Sequence, residues 1–458
     1  MGKLSRLGLL LFATTTTGCA YPELTMGTGA GGAVAGTPGA GGASGSGGTG
    51  TDAPSAARIR QLDLVFMIDN SSGMAPKQAK MIAQFPKLIG ALQNQSTGLL
   101  PDLRVAILDS DLGTGGAYPN NACGPNTSNG QSAYGDLGNF QMRGGTGCGM
   151  SSADALWIAY TKGSPVNYTS SKDINNVFAC LATNLGTLGC GEEHSLQAFE
   201  FGLVARNLHM DKYASQNTFL RPQAYLGLVF LSDEDDCSAA TNDGMFGDKP
   251  ELRSESASLR CATRGHQCNG RNLSDTTPPG YPTTAAFETD FTSCSARTDF
   301  CPNATDGASD ATDTSGPTSC SPLKSFQRIA QEIMGLKSDP AAQQILVAGI
   351  FGWPRKGSDG KPDFSKANRY KIDLVPNPNS ADTAHPQIWD YWPVCYDPNH
   401  LPKGSGFDQD AWAYGAAGGL RLSAFIDQFG QNGLKYSICE PDFTDAMSGI
   451  GNALAQRL

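Results

Sequence analysis

Two carboxylates and one hydroxyl are placed where they could do chemistry. Asp69 closes an apolar run, Leu62-Asp63-Leu64-Val65-Phe66-Met67-Ile68, and Asp233 stands just past a second run, Tyr225 to Leu231. Ser71 lies two residues beyond Asp69, with Ser72 beside it. Short apolar runs of this kind suit buried parallel strands. In open α/β sheets, sites form at the carboxyl ends of strands where strand order reverses. Two carboxylates meeting there repel each other unless a cation or a proton lies between them. Hard oxygen donors of this type suit Mg²⁺, Mn²⁺ or Ca²⁺. The plainer alternative is that both Asp residues cap the helices that follow. The run Asp233-Glu234-Asp235-Asp236 does not match the calcium-loop spacing and reads as a solvated acidic loop.

Motifs for catalysis are missing. There is no Gly-x-Ser-x-Gly elbow, no phosphate-binding Gly-x-x-x-x-Gly-Lys loop and no His-Glu-x-x-His helix. Ser71 beside Asp69 mimics a nucleophile and base, but a carboxylate alone activates a hydroxyl poorly at neutral pH. Of five histidines, His194 is the best stray base, and a structural role at a helix start suits it better. The chain is therefore expected to be no enzyme, with an unrecognised hydrolase as the remote alternative. A net charge of −10 without any Lys/Arg cluster argues against nucleic acid as a partner.

The elements that must position these residues follow from periodicity. Met81, Ile82, Phe85, Leu88, Ile89 and Leu92 share one helical face, with Pro86 expected to kink it. Leu103 to Leu108 and Ile345 to Ile350 read as further buried strands, and Leu434 to Ile438 as the last. Helices are expected around Ile174–Leu181, Leu196–Val204, Phe326–Ile333, Leu422–Phe429 and Met447–Leu458. Strands alternating with amphipathic helices imply an α/β fold, a doubly wound and mostly parallel sheet. Residues of about 234–321 read as an irregular, Cys-rich insertion stapled by disulfides.

Phe66-Met67-Ile68-Asp69-Asn70-Ser71-Ser72-Gly73-Met74 resembles the opening of a von Willebrand factor A domain, with its Asp-x-Ser-x-Ser adhesion motif. Leu228-Val229-Phe230-Leu231-Ser232-Asp233 resembles that family's later strand and second Asp. The resemblance spans roughly Asp63 to Leu458. It implies a cation held by Asp69, Ser71 and Asp233, with an open position for an acidic side chain of a partner protein. Gly73 stands where the family has its second Ser, and the family's middle Thr has no clear equivalent. Glu192 or Glu193 could supply an oxygen there, or could serve the helix N-terminus that follows. Ser72 is a weaker candidate ligand. A metal-free interaction module is the alternative that Gly73 favours.

Residues 1–18 resemble a bacterial lipoprotein signal peptide: Lys3 and Arg6, an apolar stretch too short to span a bilayer, then Thr16-Thr17-Gly18-Cys19. Thr16 stands where Leu is usual. Cys19 would carry lipid, and Ala20 after it resembles the signal for the outer membrane of a Gram-negative bacterium. Residues 19–57, rich in Gly, Ala, Ser and Thr, read as a tether, with 58–458 as the folded domain. About 30 such residues span on the order of 30 Å. Of thirteen cysteines, twelve remain after Cys19, an even number that fits disulfides in an oxidising compartment. Local loop closure suggests Cys180 with Cys190 and Cys123 with Cys148, and a tie from the late loop to the last strand suggests Cys395 with Cys439. The expected function is that of a cell-surface binding or adhesion module, held to the membrane by lipid and facing a protein partner.

Overall fold

The computed structural model describes residues 61–93, 98–113, 135–205, 211–239, 255–273, 290–301, 320–337, 344–357, 370–377, 386–404 and 408–458. The expected leader, Cys19, the tether, Cys123 and much of 234–321 lie outside the described residues.

A seven-stranded sheet organises these residues. Its strands are β1 (Gln61–Ile68), β2 (Asp102–Leu108), β3 (Ile158–Thr161), β4 (Ser164–Pro165), β5 (Tyr225–Leu231), β10 (Ile345–Phe351) and β15 (Gly433–Ser437). The order is β15-β10-β5-β1-β2-β3-β4. The five strands from β15 to β2 run parallel, and β3 and β4 are antiparallel. Val65 sits opposite Ala106 on one side and Leu228 on the other, so the first strand lies at the centre. The β3–β4 hairpin was not expected from sequence, because so short and half-buried a pair carries little periodicity. Its turn is legible in hindsight: Lys162 and Gly163 both adopt positive φ, 49° and 80°, as a tight hairpin requires.

Alternation along the central strand builds two cores. Leu62, Leu64, Phe66 and Ile68 face α1 (Ala75–Leu92), α2 (Ile174–Leu185) and the terminal Thr444–Ala455 helix. Val65 and Met67 face the opposite layer, made by α3 (Ser195–Phe199) with its π-helical continuation Glu200–Val204, and by the helices Phe326–Met334 and Leu420–Asp427. This is the period of two expected of a strand buried on both faces. Phe85 stacks on Phe178 with centroids 3.8 Å apart, and Phe66 tilts against Phe178 at 5.0 Å. Pro86 lies on the exposed side of a helix that runs unbroken from Ala75 to Leu92.

The 234–321 region is less irregular than its composition suggests. It contains α4 (Ala257–Gly265) and the strands β6 (His266–Cys268), β7 (Arg271–Asn272), β8 (Asp290–Phe291) and β9 (Cys294–Ala296). One three-stranded sheet has the order β7-β6-β9. A second joins β8 to β11 (Tyr370–Pro376) and β12 (Gln387–Tyr391). Leu259, Phe291, Ile372, Tyr391 and Leu420 share a small core, so this region packs with the later loops rather than standing apart. Strands of two or three residues give no sequence signal, because their pairing partners are distant in the chain. The helices in order after α4 are α5 (Phe326–Met334), α6 (Gln409–Ala413), α7 (Leu420–Asp427) and α8 (Thr444–Ala455), and β13 (Cys395–Tyr396) pairs with β14 (Gly415–Ala416).

Five disulfides are described: Cys148–Cys180, Cys237–Cys261, Cys268–Cys294, Cys301–Cys320 and Cys395–Cys439. The last is the pairing suggested by sequence. Two suggested pairings are corrected: Cys148 takes Cys180, so neither Cys180–Cys190 nor Cys123–Cys148 forms. The bridge ties the Gly145–Cys148 turn to the outer side of α2, a closeness set by packing rather than by loop length. Cys190 is also disulfide-bonded. Among the described residues no helix is long and apolar enough to cross a membrane.

At the amino edge of the sheet, Asp63 is fully buried within β1. Arg221 donates to its Oδ1 at 2.8 Å and, through its backbone N–H, to Oδ2 at 2.7 Å. Burial pushes the Asp63 carboxyl above its ordinary range, and the Arg221 charge opposes that push. Removing one partner of a buried pair leaves the other charge uncompensated. Arg221→Ala is expected to destabilise the domain by about 3–5 kcal/mol. Equilibrium urea unfolding measures this, and a loss no larger than an exposed arginine would give counts against the clamp.

Candidate functional site

The loop Asn70 to Gly73 connects β1 to α1, so the first turn of the helix begins directly above the central strand. Asp69 is fully buried there. Its Oδ1 accepts the Ser71 backbone N–H at 2.8 Å, and its Oδ2 accepts the Ser232 hydroxyl at 2.8 Å. Asp233, from the end of β5, stands close enough to repel it. Burial and then the Asp233 charge raise the Asp69 carboxyl to about 7. The sequence-expected trio Asp69, Ser71 and Asp233 is thus brought to one place. Ser72 is exposed and turned to solvent.

A fourth residue, absent from the sequence reading, dominates the arrangement. Lys77 lies in the first turn of α1, and its side chain is only 3% exposed. Its ammonium donates to Asp233 Oδ2, to the Gly73 carbonyl at 3.4 Å and to the Ala413 carbonyl at 3.1 Å. Three acceptors match the three protons of an ammonium group. Gly73 leaves the room for this: a Cβ there would stand 3.0 Å from Asp233 Oδ2. A lysine one helical turn after the glycine was the available signal, since residues four apart on a helix share a face. Among the described residues, no three His, Cys, Asp or Glu side chains are grouped as a metal would need.

Glu192 and Glu193 separate. Glu193 faces the site: burial, then Glu234 and Asp69, push its carboxyl well up. Glu234 is raised to about 8, by burial first and the Asp233 charge second, and accepts a hydrogen bond from Ser258. Glu193 and Glu234 bond to each other through their carboxyls, which requires a proton between them. Glu192 points elsewhere, towards Arg260 and Asp111, and burial raises it to about 7. His194 is fully buried beside Gln197 and is pushed down to about 4 by that burial. A neighbouring acidic group forms past β2, where Arg143 lies 2.9 Å from Asp136 and 3.7 Å from the buried Asp109.

The acidic run after β5 corrects a second expectation. Asp235 and Asp236 are buried rather than solvated. Asp235 accepts the backbone N–H groups of Arg421 at 2.9 Å and Leu422 at 3.1 Å, at the start of α7, and lies 2.6 Å from His266 Nε2. Asp236 pairs with the fully buried Arg421 guanidinium at 2.8 Å and accepts the Leu196 N–H at 2.9 Å, at the start of α3. Carboxylates at two helix N-termini, each with a cationic or hydrogen-bonding partner, need no solvent.

No family model matches the chain, and no curated protein is similar to it. Among solved structures, the pilus adhesin SpaC of Lactobacillus rhamnosus GG, in its open conformation, is similar at 8% identity and a TM-score of 0.30. The match covers 87% of this chain, and the chain spans 30% of that adhesin's length. A likeness at that score carries no argument about fold or function.

The buried acids set a pH dependence. Asp69, Glu192 and Glu234 hold protons in the folded state to about 7, 7 and 8, well above the range of free carboxyls. Their raised values add stability that is complete below pH of about 4 and is lost as pH rises through the folded values. His194, depressed to about 4, acts in the opposite sense, and only below about pH 6.5. The midpoint of urea unfolding is therefore expected to fall between about pH 6.5 and pH 8. Glu234→Gln, which mimics the protonated acid, should flatten that fall. A midpoint that holds steady or rises over this window would contradict the assignment.

Proposed function

We propose that this chain is a metal-independent binding module, von Willebrand factor A-like in architecture and exported to the cell envelope. The carrying observation is the Lys77 ammonium, which stands among Asp233, Gly73 and Ala413 where a divalent cation would have to sit. A divalent cation beside a buried ammonium meets like-charge repulsion, and the partners it needs are already engaged. Asp69 and Asp233 then serve as structural anchors of the loops above the sheet.

Other features support the reading. Counting the six principal strands alone, the sheet has the order third, second, first, fourth, fifth, sixth, which is the doubly wound arrangement with its switch point beside the first strand. The loops at the carboxyl end are long and carry four of the five described disulfides, a usage that suits an oxidising compartment. Binding surfaces on a rigid sheet usually reside in such loops. The candidate bases named from sequence are poorly placed for catalysis: His194 is sealed in the core and held neutral, and Ser71 has only a buried carboxyl beside it. The leader-like residues 1–18 and Cys19 make a lipid anchor the natural attachment.

Cation titration tests the proposal. Mg²⁺, Mn²⁺ and Ca²⁺ should leave the thermal unfolding midpoint unchanged, and chelator should have no effect. The double substitution Gly73→Ser with Lys77→Ala removes the internal cation and restores a hydroxyl. It is expected to lower stability by about 3 kcal/mol, because Asp233 loses its partner, and to gain a cation-dependent rise in midpoint. A cation-dependent shift in the unaltered protein would defeat the metal-independent reading.

A further inference from the structure

One strand along from Asp233, the same carboxyl edge of the sheet opens into a cleft of about 450 Å³, a size that suits a short peptide segment. Arg355 and Lys356, just past β10, line it, with Lys371 of β11. Trp392, Tyr396 and Leu401 complete the lining that bears on recognition. No carboxylate is among the described lining residues, although the chain as a whole is acidic.

The cations of the cleft are only loosely engaged. Lys371 lies 3.9 Å from Asp373, and Arg355 Nε lies 3.6 Å from Glu440, both too long for hydrogen bonds. Arg355 Nε has no hydrogen-bond partner among the described residues. Lys356 meets Asp445 at 3.0 Å, but both side chains are more than half exposed, and such pairs exchange readily with water. Lys371 is held 4.3 Å from the centre of the Trp392 ring, which fixes its charge over an aromatic wall. Leu401 leaves half of its surface in solvent beside that wall.

We infer that this cleft is a docking site for an acidic, apolar peptide segment of a partner protein. The inference rests on the reading of the chain as a binding module. A carboxylate matches the planar guanidinium of Arg355, and Lys371 adds a second positive charge. The wall of Trp392, Leu401 and the adjoining prolines suits an aliphatic or aromatic side chain better than a hydroxylated sugar. Tryptophan, tyrosine and arginine are also the residues on which protein interfaces most depend. In this arrangement the anion is captured by side chains at the Arg355 cleft, while the Asp69–Asp233 position stays internally neutralised.

The test uses the full chain and three labelled probes: a peptide alternating Glu with Phe, the same peptide with Gln for Glu, and an oligogalacturonate. Fluorescence anisotropy is expected to show binding of the Glu peptide alone, weakening as salt rises from about 0.05 M to about 0.3 M. Arg355→Ala and Lys371→Gln should each weaken it about tenfold, with the thermal midpoint unchanged, because both side chains are partly exposed. Lys77→Gln should leave it within about twofold, so failure of the cleft and failure of the metal-independent reading remain distinct. Equal binding of the Gln peptide, preference for the oligogalacturonate, indifference to both cleft substitutions, or no binding of any probe would each overturn the docking site.

Discussion

Five consecutive residues, Ser232 to Asp236, are wholly or largely withdrawn from water, and the elements above the sheet are arranged to receive them. They follow β5, the strand beside the centre of the sheet, and the chain turns them inward. Each finds a different partner. Ser232 binds Asp69, Asp233 takes Lys77, Glu234 takes Ser258 and Glu193, Asp235 takes His266 and the start of α7, and Asp236 takes Arg421 and the start of α3. Buried charges are tolerated only when paired and hydrogen-bonded. One short segment therefore fixes α1, α3, α4, α7 and the β6 strand relative to the sheet.

The same constraint governs how the charges of the site are balanced. Carboxylates crowded in a dry setting need a cation or protons between them. Here the helix supplies one charge through Lys77, and protons supply the rest, since Asp69, Glu193 and Glu234 are all raised by burial and by each other. Gly73 and Lys77 belong together in this account: the missing side chain makes the space, and the ammonium fills it.

Contacts within the chain shape the loops above the sheet. The late loop reaches over the site, where the Ala413 carbonyl meets Lys77 and the Ala417 N–H donates to the Asp233 carbonyl at 2.8 Å. The stretch before it, pinned by Cys395–Cys439, lines the Arg355 cleft. On the proposed reading, anchoring and recognition are separated along one edge of the sheet.

By itself the sequence determined the parallel strands, the helices between them and the meeting of Asp69, Ser71 and Asp233. Those features rest on local periodicity and on the rule that strand ends in such sheets share one edge, so a single chain segment states each of them. Only the tertiary structure decided that Lys77 would join the trio, that Glu193 and not Glu192 would face it, that Asp235 and Asp236 would be buried, and that Cys148 would pair with Cys180. Each of these depends on which side chains distant in sequence arrive at the same point. Apart from the four-residue step from Gly73 to Lys77, spacing along the chain carries no record of that arrival, because burial and pairing of charges are settled by neighbours that come from other elements.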